Sequence, residues 1–173
     1  MTSRRILLLR HAKSAWDEPG LEDYDRPLAP RGRRAAAVMG VYLRDEALVP
    51  DLVLCSGARR AAETWEIAAH ELPKPPAVEH DPALYMVTAD RLLKRLRKLP
   101  EAVTSVLVVG HEGGIDVLAR RMASDGAAPL RRRLAEKFPT AALAVIAVAA
   151  DEWPALQEKA GTIIRFAAPK DLI

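Results

Sequence analysis

An arginine–histidine pair follows a short apolar run near the start of the chain. Residues 6–9 are apolar and lead directly into Arg10 and His11, and this length with flanking charges is typical of a buried strand over residues 5–10. Open α/β sheets bind their ligands at the carboxyl ends of the strands. A guanidinium fixed there suits phosphate, and the imidazole beside it can be a general base, a metal ligand or a nucleophile.

Two further apolar runs end in the same kind of side chain. Residues 52–55 precede Arg59 and Arg60, which lie in the first turn of a predicted helix. A cation opposes the helix dipole there, and a bound anion would offset that cost. Residues 105–110 lead into His111. Three strands that deliver arginine or histidine to one edge of a sheet predict an oxyanion-binding site.

The spacing of the candidate residues excludes several rival chemistries. A cysteine-dependent phosphatase built on Cys55 would need an arginine at position 61, which is Ala61. A zincin helix would need a second histidine at position 115, which is Ile115. A nucleophile elbow at Ser56 would need glycines at positions 54 and 58, and neither is glycine. The remaining histidines lack metal-ligand neighbours, so the sequence predicts no metal site and no cofactor.

The segments that must position these residues alternate between strand and helix. Strands are predicted over residues 5–10, 52–55, 105–110, 141–149 and 162–166. Helices are predicted over residues 31–47, 58–71, 88–99 and 112–124. This alternation indicates an α/β fold with a largely parallel sheet. The length of 173 residues predicts a single domain over residues 1–173.

Composition limits the classes of partner and the compartment. Half of the residues are apolar and 28% are charged, which is ordinary for a globular protein. Aromatic residues make up only 5% and the net charge is +3, so no nucleic-acid surface is predicted. No apolar run approaches the roughly 18 residues of a membrane span, and none resembles a signal peptide. The single cysteine fits a reducing compartment, so we expect a cytoplasmic protein.

The motifs together resemble the histidine phosphatase superfamily, whose hallmark is Arg-His-Gly after the first strand; this chain has Arg10-His11-Ala12. It is most similar to the small SixA-type phosphohistidine phosphatases, which open with Arg-His-Ala-Lys-Ser, as residues 10–14 do. The resemblance covers nearly the whole chain. Its other motifs are Asp25-Arg26-Pro27-Leu28, Arg31-Gly32, Ser56, Arg60-Ala61 with Thr64, Val109-Gly110-His111 and Phe138-Pro139-Thr140-Ala141.

The resemblance implies a phosphoglycerate mutase-like fold, a three-layer αβα sandwich around a mostly parallel sheet. It implies that His11 is the nucleophile and becomes transiently phosphorylated, that Arg10 and Arg60 hold the phosphoryl oxygens, and that His111 completes the pocket. Arg60, rather than Arg59, starts the Arg-Ala-x-x-Thr pattern of the family.

Three residues next to the two histidines lie outside these four assigned positions. Lys13 and Ser14 follow the nucleophile, and either line the mouth of the phosphate pocket or belong to a solvated loop. Glu112 stands where the superfamily often has a small polar residue. Because a carboxylate repels phosphate, we expect Glu112 to point away or to contact the arginines. No residue matches the general acid of larger members.

The resemblance therefore implies a metal-independent phosphatase that hydrolyses phosphohistidine on a protein through a phosphohistidine enzyme intermediate. Two alternatives stay open: a small-molecule phosphomonoesterase of the same superfamily, and a binding module for phosphorylated ligands that has lost catalysis. The expected partner is a phosphorylated protein or a small phosphorylated molecule, with no nucleic acid and no membrane.

Overall fold

Strands and helices alternate along most of the chain. The computed structural model describes residues 3–173. The strands are β1 (Ser3–Arg10), β2 (Leu52–Ser56), β3 (Ala77–Asp81), β4 (Ser105–Gly110), β5 (Ala123–Gly126), β6 (Leu143–Ala149) and β7 (Gly161–Ala167). The helices are α1 (Pro30–Asp45), α2 (Arg59–His70), α3 (Ala89–Leu96), α4 (Ile115–Met122) and α5 (Ala128–Glu136). Within residues 3–173, no helix is long and apolar enough to cross a membrane.

The strands form one sheet in the order β3-β2-β4-β1-β6-β7-β5. Strand β6 runs antiparallel to β1 and β7, and the other neighbouring strands are parallel, which confirms the predicted α/β class. In the register, Arg10 lies opposite Gly110, and Cys55 lies opposite Val109. The ends of β1, β2 and β4 therefore meet at one edge of the sheet, as the sequence predicted.

Helices cover both faces of the sheet, so the predicted three-layer sandwich is confirmed. Along β1, Leu7 and Leu9 are buried on the face that packs against α1 and α2. The alternate residues Ile6 and Leu8 are buried on the opposite face, in the core shared with α3, α4 and α5. Because both faces are covered, β1 is a continuous apolar run instead of an alternating one.

Four elements differ most from the sequence-based prediction. Strand β3 was missed because it is an edge strand whose side chains are exposed or half-buried, so it has no apolar run. The helix predicted over residues 112–124 is wrong at both ends. It begins only at Ile115, after a turn in which Gly113 has a φ of +98°, and residues 123–126 form the short edge strand β5 instead. The sequence does not predict the bounds of helix α5, because only Leu134 within it is buried and it has no apolar stripe.

Candidate active site

The four side chains expected to do the chemistry converge at the carboxyl edge of the sheet. Arg10 ends β1 and His11 follows it, Arg60 lies in the first turn of α2, and His111 follows β4. The Arg60 Nε atom lies 3.3 Å from His11 Nε2, and Arg60 Nη2 lies 3.4 Å from His111 Nδ1. The two imidazole centroids are 5.2 Å apart. Residues from three distant parts of the chain thus form one cluster.

The environment of His11 fixes both its orientation and its tautomer. Its Nδ1 lies 2.7 Å from the carbonyl oxygen of Ala12. Because a carbonyl only accepts, Nδ1 carries the proton and Nε2 keeps its lone pair. The backbone N–H of Ala12 donates to Thr64 Oγ1 at 2.9 Å, and that hydroxyl donates to the Arg60 carbonyl at 2.6 Å. The loop that carries His11 is therefore held to helix α2 by hydrogen bonds.

The pKa of His11 is lowered to about 4, mainly by burial and further by the guanidinium groups of Arg60, Arg10 and Arg26; the hydrogen bond to the Ala12 carbonyl acts in the opposite direction. A histidine with this pKa is uncharged at neutral pH. An uncharged imidazole whose Nε2 is unprotonated, and here accepts a hydrogen bond from Arg60 Nε, is the form of histidine that can attack phosphorus once a ligand takes over that N–H.

The second histidine is also uncharged and fixed. His111 Nε2 lies 2.8 Å from Ser56 Oγ. Because the Arg60 guanidinium only donates, His111 Nδ1 accepts and its Nε2–H donates to the Ser56 hydroxyl. Burial lowers the pKa of His111 to about 3, with His11 and Arg60 adding to the effect. His111 Nδ1 therefore faces the centre of the cluster.

Arg10 has a buried donor available for a ligand. Its Nη1 donates to the Phe138 carbonyl at 2.9 Å, and its Nη2 lies 3.4 Å from Glu112 Oε2. Its Nε is buried and, within residues 3–173, forms no hydrogen bond. Buried donors normally have partners, so this N–H is suited to an anion oxygen. Glu112 contacts an arginine, which is one of the two arrangements expected for it.

The sequence did not assign a role to three residues that complete the cluster. Asp23 accepts from Arg60 Nη2 at 3.0 Å through Oδ2 and from Arg26 Nε at 3.0 Å through Oδ1. The hydroxyl of Tyr85 also donates to Asp23 Oδ2. This hydroxyl, followed by the two guanidinium groups, lowers the pKa of Asp23 to about 2. The motif at residues 25–28 was the signal that pointed to Arg26; nothing in the sequence pointed to Asp23 or Tyr85.

The remaining predicted residues lie around the cluster. Ser14 is buried, and its hydroxyl accepts from Arg26 Nη1 at 2.8 Å. Lys13 lines a separate groove on the side of α1. Arg59 is more than half exposed and pairs with Glu63. The structure thus places Arg60, and not Arg59, beside the histidines, while phosphate binding by Lys13 and Ser14 stays a prediction.

Comparisons with known proteins agree with this geometry. The family model of the histidine phosphatase superfamily (branch 1) matches residues 6–85. An uncharacterized protein of Mycobacterium tuberculosis is 38% identical over 164 residues, which are 94% of this chain and 100% of that protein.

Solved structures of SixA proteins superpose on nearly the whole chain. A candidate phosphohistidine phosphatase SixA from Nakamurella multipartitia is 26% identical with a TM-score of 0.82, and the match covers 98% of both chains. A protein histidine phosphatase SixA complexed with tungstate is 26% identical with a TM-score of 0.78, covering 98% of this chain and 99% of that one. The chain belongs to the histidine phosphatase superfamily and is of the SixA type.

Proposed function

We propose that this chain is a metal-independent phosphatase that hydrolyses phosphohistidine on a protein through a covalent intermediate on His11. The observation that carries the proposal is the state of His11 Nε2, which is unprotonated and faces Arg60 Nε at 3.3 Å. The structural likeness to SixA proteins supports phosphohistidine as the substrate class. The single buried cysteine, Cys55, supports a cytoplasmic location, and we treat residues 1–173 as one catalytic domain.

In the first step, His11 Nε2 attacks phosphorus while the bond from phosphorus to the substrate imidazole breaks. The departing imidazole nitrogen takes a proton from solvent, and the phosphoryl group is then carried by His11. In the second step, water attacks the phosphorus, the His11–phosphorus bond breaks, and inorganic phosphate leaves. The water proton passes to the phosphate or to solvent, so His11 returns to its starting form.

The cationic side chains stabilise the charge that develops on the equatorial oxygens. Phosphoryl transfer has a loose transition state, so positioning and electrostatic stabilisation provide most of the catalysis. Arg10 offers its buried Nε–H, and Arg60 offers the N–H groups that now face the two histidines. The proposed mechanism places the guanidinium groups of Arg10 and Arg60 at the phosphoryl group and uses no metal ion.

No strong protein acid is needed for this leaving group. Asp23 lies beside Arg60, but its pKa of about 2 makes it ionised at neutral pH, so it cannot donate a proton there. An imidazole is a good leaving group because it is easily protonated, whereas an alkoxide requires a proton from the protein. This difference favours phosphohistidine over alkyl phosphomonoesters as the substrate.

The test compares wild type with His11→Ala and with His70→Ala, a matched loss of an exposed histidine on α2. Enzyme mixed with a phosphohistidine protein and quenched in alkali should carry an acid-labile phosphate on His11. We expect His11→Ala to lose both the label and the activity, and His70→Ala to keep both. Full activity in His11→Ala would rule the mechanism out.

A substrate panel tests the chemical class. It consists of a phosphohistidine protein, sugar phosphates and an aryl phosphate, each with and without a chelator. We expect the highest kcat/KM on phosphohistidine and no effect of the chelator. Faster turnover of sugar phosphates would favour the small-molecule phosphomonoesterase, and binding without turnover of any compound would favour a non-catalytic binding module.

A further inference from the structure

A basic groove of about 430 Å³ lies beside the catalytic cluster. Five cationic side chains line it, and no acidic or aromatic side chain does. They are Lys13, Arg31, Arg34, Lys137 and Lys170. We call this surface the basic groove.

The first turn of α1 is held tightly against the loop that follows the nucleophile. The Ala29 N–H donates to the Lys13 carbonyl at 2.9 Å. A Cβ at Gly32 would overlap that same carbonyl oxygen, so only glycine allows this approach. This close backbone contact holds the segment that carries Arg31 and Arg34 next to Lys13.

The groove shares two chain segments with the catalytic site. Lys13 stands two residues after the nucleophile His11. On the other side, Lys137 precedes Phe138, whose carbonyl accepts from Arg10. Thr140 lines the groove, and the next residue, Ala141, donates its N–H to the carbonyls of Arg10 and His11. The groove and the catalytic site are therefore built on the same two segments, although none of the four clustered side chains lines the groove.

The cations of the groove are not engaged in ion pairs within the described part of the chain. Its five cations form no ion pairs there, whereas the neighbouring Arg33 pairs with Glu63 and Arg133 pairs with Asp171. Arg31 also lies in the first turn of α1, where the helix dipole opposes positive charge, and Arg34 follows it in the next turn. Both features make the groove favourable for an acidic ligand.

We infer that the basic groove binds an acidic segment of the substrate protein next to its phosphorylated histidine. This inference rests on the proposed function and specifies its substrate. Between the cations, the groove has apolar lining from Pro139, Ala168 and Ile173, which can contact the side chains of a peptide. A nucleotide or single-stranded nucleic acid would be favoured by aromatic residues for stacking, and the lining contains none.

The direct test measures binding without catalysis. The probe is a fluorescent, unphosphorylated peptide rich in Asp and Glu with interspersed apolar residues, and its Kd is measured by anisotropy. We expect the double variant Arg31→Glu/Arg34→Glu to raise the Kd by about 10-fold or more, since charge complementarity at an exposed site is strongly felt at low salt.

The matched control is Arg131→Glu/Arg132→Glu, which reverses two exposed arginines on α5 outside the groove. We expect it to change the Kd less than about twofold. Equal loss of binding in both variants would show an effect of net charge alone and would overturn the inference. A short oligonucleotide or a nucleoside diphosphate that displaces the peptide at much lower concentration would also overturn it.

Measurements of KM on three substrates distinguish failure of this inference from failure of the proposed function. The substrates are two phosphohistidine peptides, one with acidic and one with neutral flanking residues, and an aryl phosphate that reaches only the catalytic centre. We expect Arg31→Glu/Arg34→Glu to raise KM about 10-fold for the acidic peptide only. If wild type hydrolyses both peptides and the variant has unchanged KM values, the inference fails and the function stands. If wild type hydrolyses neither peptide, the proposed function fails, and the anisotropy result still decides the groove.

Discussion

Replacing Thr64 with valine removes one hydroxyl and almost no volume. The Thr64 side chain is fully buried, and its Oγ1 accepts from the Ala12 N–H at 2.9 Å and donates to the Arg60 carbonyl at 2.6 Å. Valine at this position leaves the Ala12 N–H without a partner in the core. A buried donor left unsatisfied costs about 1–3 kcal/mol, so we expect the free energy of unfolding to fall by about 2 kcal/mol.

Urea unfolding and thermal unfolding measure this loss. For a chain of this size, about 2 kcal/mol corresponds to a fall in Tm of roughly 4–8 °C. We also expect kcat to fall, because the same N–H holds the loop that carries His11. Chemical-shift changes confined to residues around His11 would show that the fold itself is kept.

Thr64→Ser is the matched control, because it keeps the hydroxyl and removes only the methyl group. Burial of one methyl contributes about 1 kcal/mol, so serine should be less damaging than valine and should keep most of the activity. If valine is as stable and as active as wild type, the hydrogen bond from Ala12 does not hold the loop that carries His11, and the reasoning is refuted.

Further predictions follow from the charges and the packing. Burial is the main cause that lowers the pKa of His11 to about 4 and that of His111 to about 3, from 6.5. Between about pH 6.5 and pH 3 the unfolded chain therefore binds more protons than the folded one, so stability decreases as the pH is lowered through this range. Urea midpoints between pH 7 and pH 5 check this, and glutamine at either histidine should flatten the dependence. Asp23→Asn removes a negative charge beside Arg60, so the inhibition constant for inorganic phosphate should fall severalfold; a weaker inhibition would contradict this. Gly32→Ala places a methyl group against the Lys13 carbonyl and should destabilise the chain by about 1–3 kcal/mol in urea unfolding, and an unchanged midpoint would mean that α1 can shift.

Side chains at strand ends were predictable because a parallel sheet has a simple geometry. An apolar run fixes a buried strand, and parallel strands in a common register end at a common edge. His11 and His111 follow two such runs, and Arg10 lies opposite Gly110 in the sheet. Their convergence therefore follows from the pattern alone. Choosing Arg60 over Arg59 needed the family motif, since both residues occupy the same helical turn.

Residues on loops and edges were not predictable for a physical reason. The contacts of Asp23 with Arg60 and Tyr85 join parts of the chain separated by 37 and 62 residues. No periodicity encodes such contacts, since each depends on the path of a loop. Strands β3 and β5 were missed for a related reason, because an edge strand with exposed side chains has no apolar pattern to detect.

Asp23 also explains how the cationic cluster is held in place before substrate arrives. Arg60 donates to the Asp23 carbonyl at 2.6 Å and to its carboxylate at 3.0 Å, so its guanidinium is fixed on one side and leaves Nε directed at His11. The Tyr85 hydroxyl and Arg26 keep that carboxylate ionised and in place. Catalysis by preorganised charge requires donors that do not have to reorient when the phosphoryl group arrives. A substitution at Asp23 that keeps the negative charge but no longer holds Arg60 should therefore lower the rate of phosphoryl transfer more than it changes the affinity for phosphate. The repulsion between the carboxylate and the anion stays in such a variant, whereas the positioning of the guanidinium is lost.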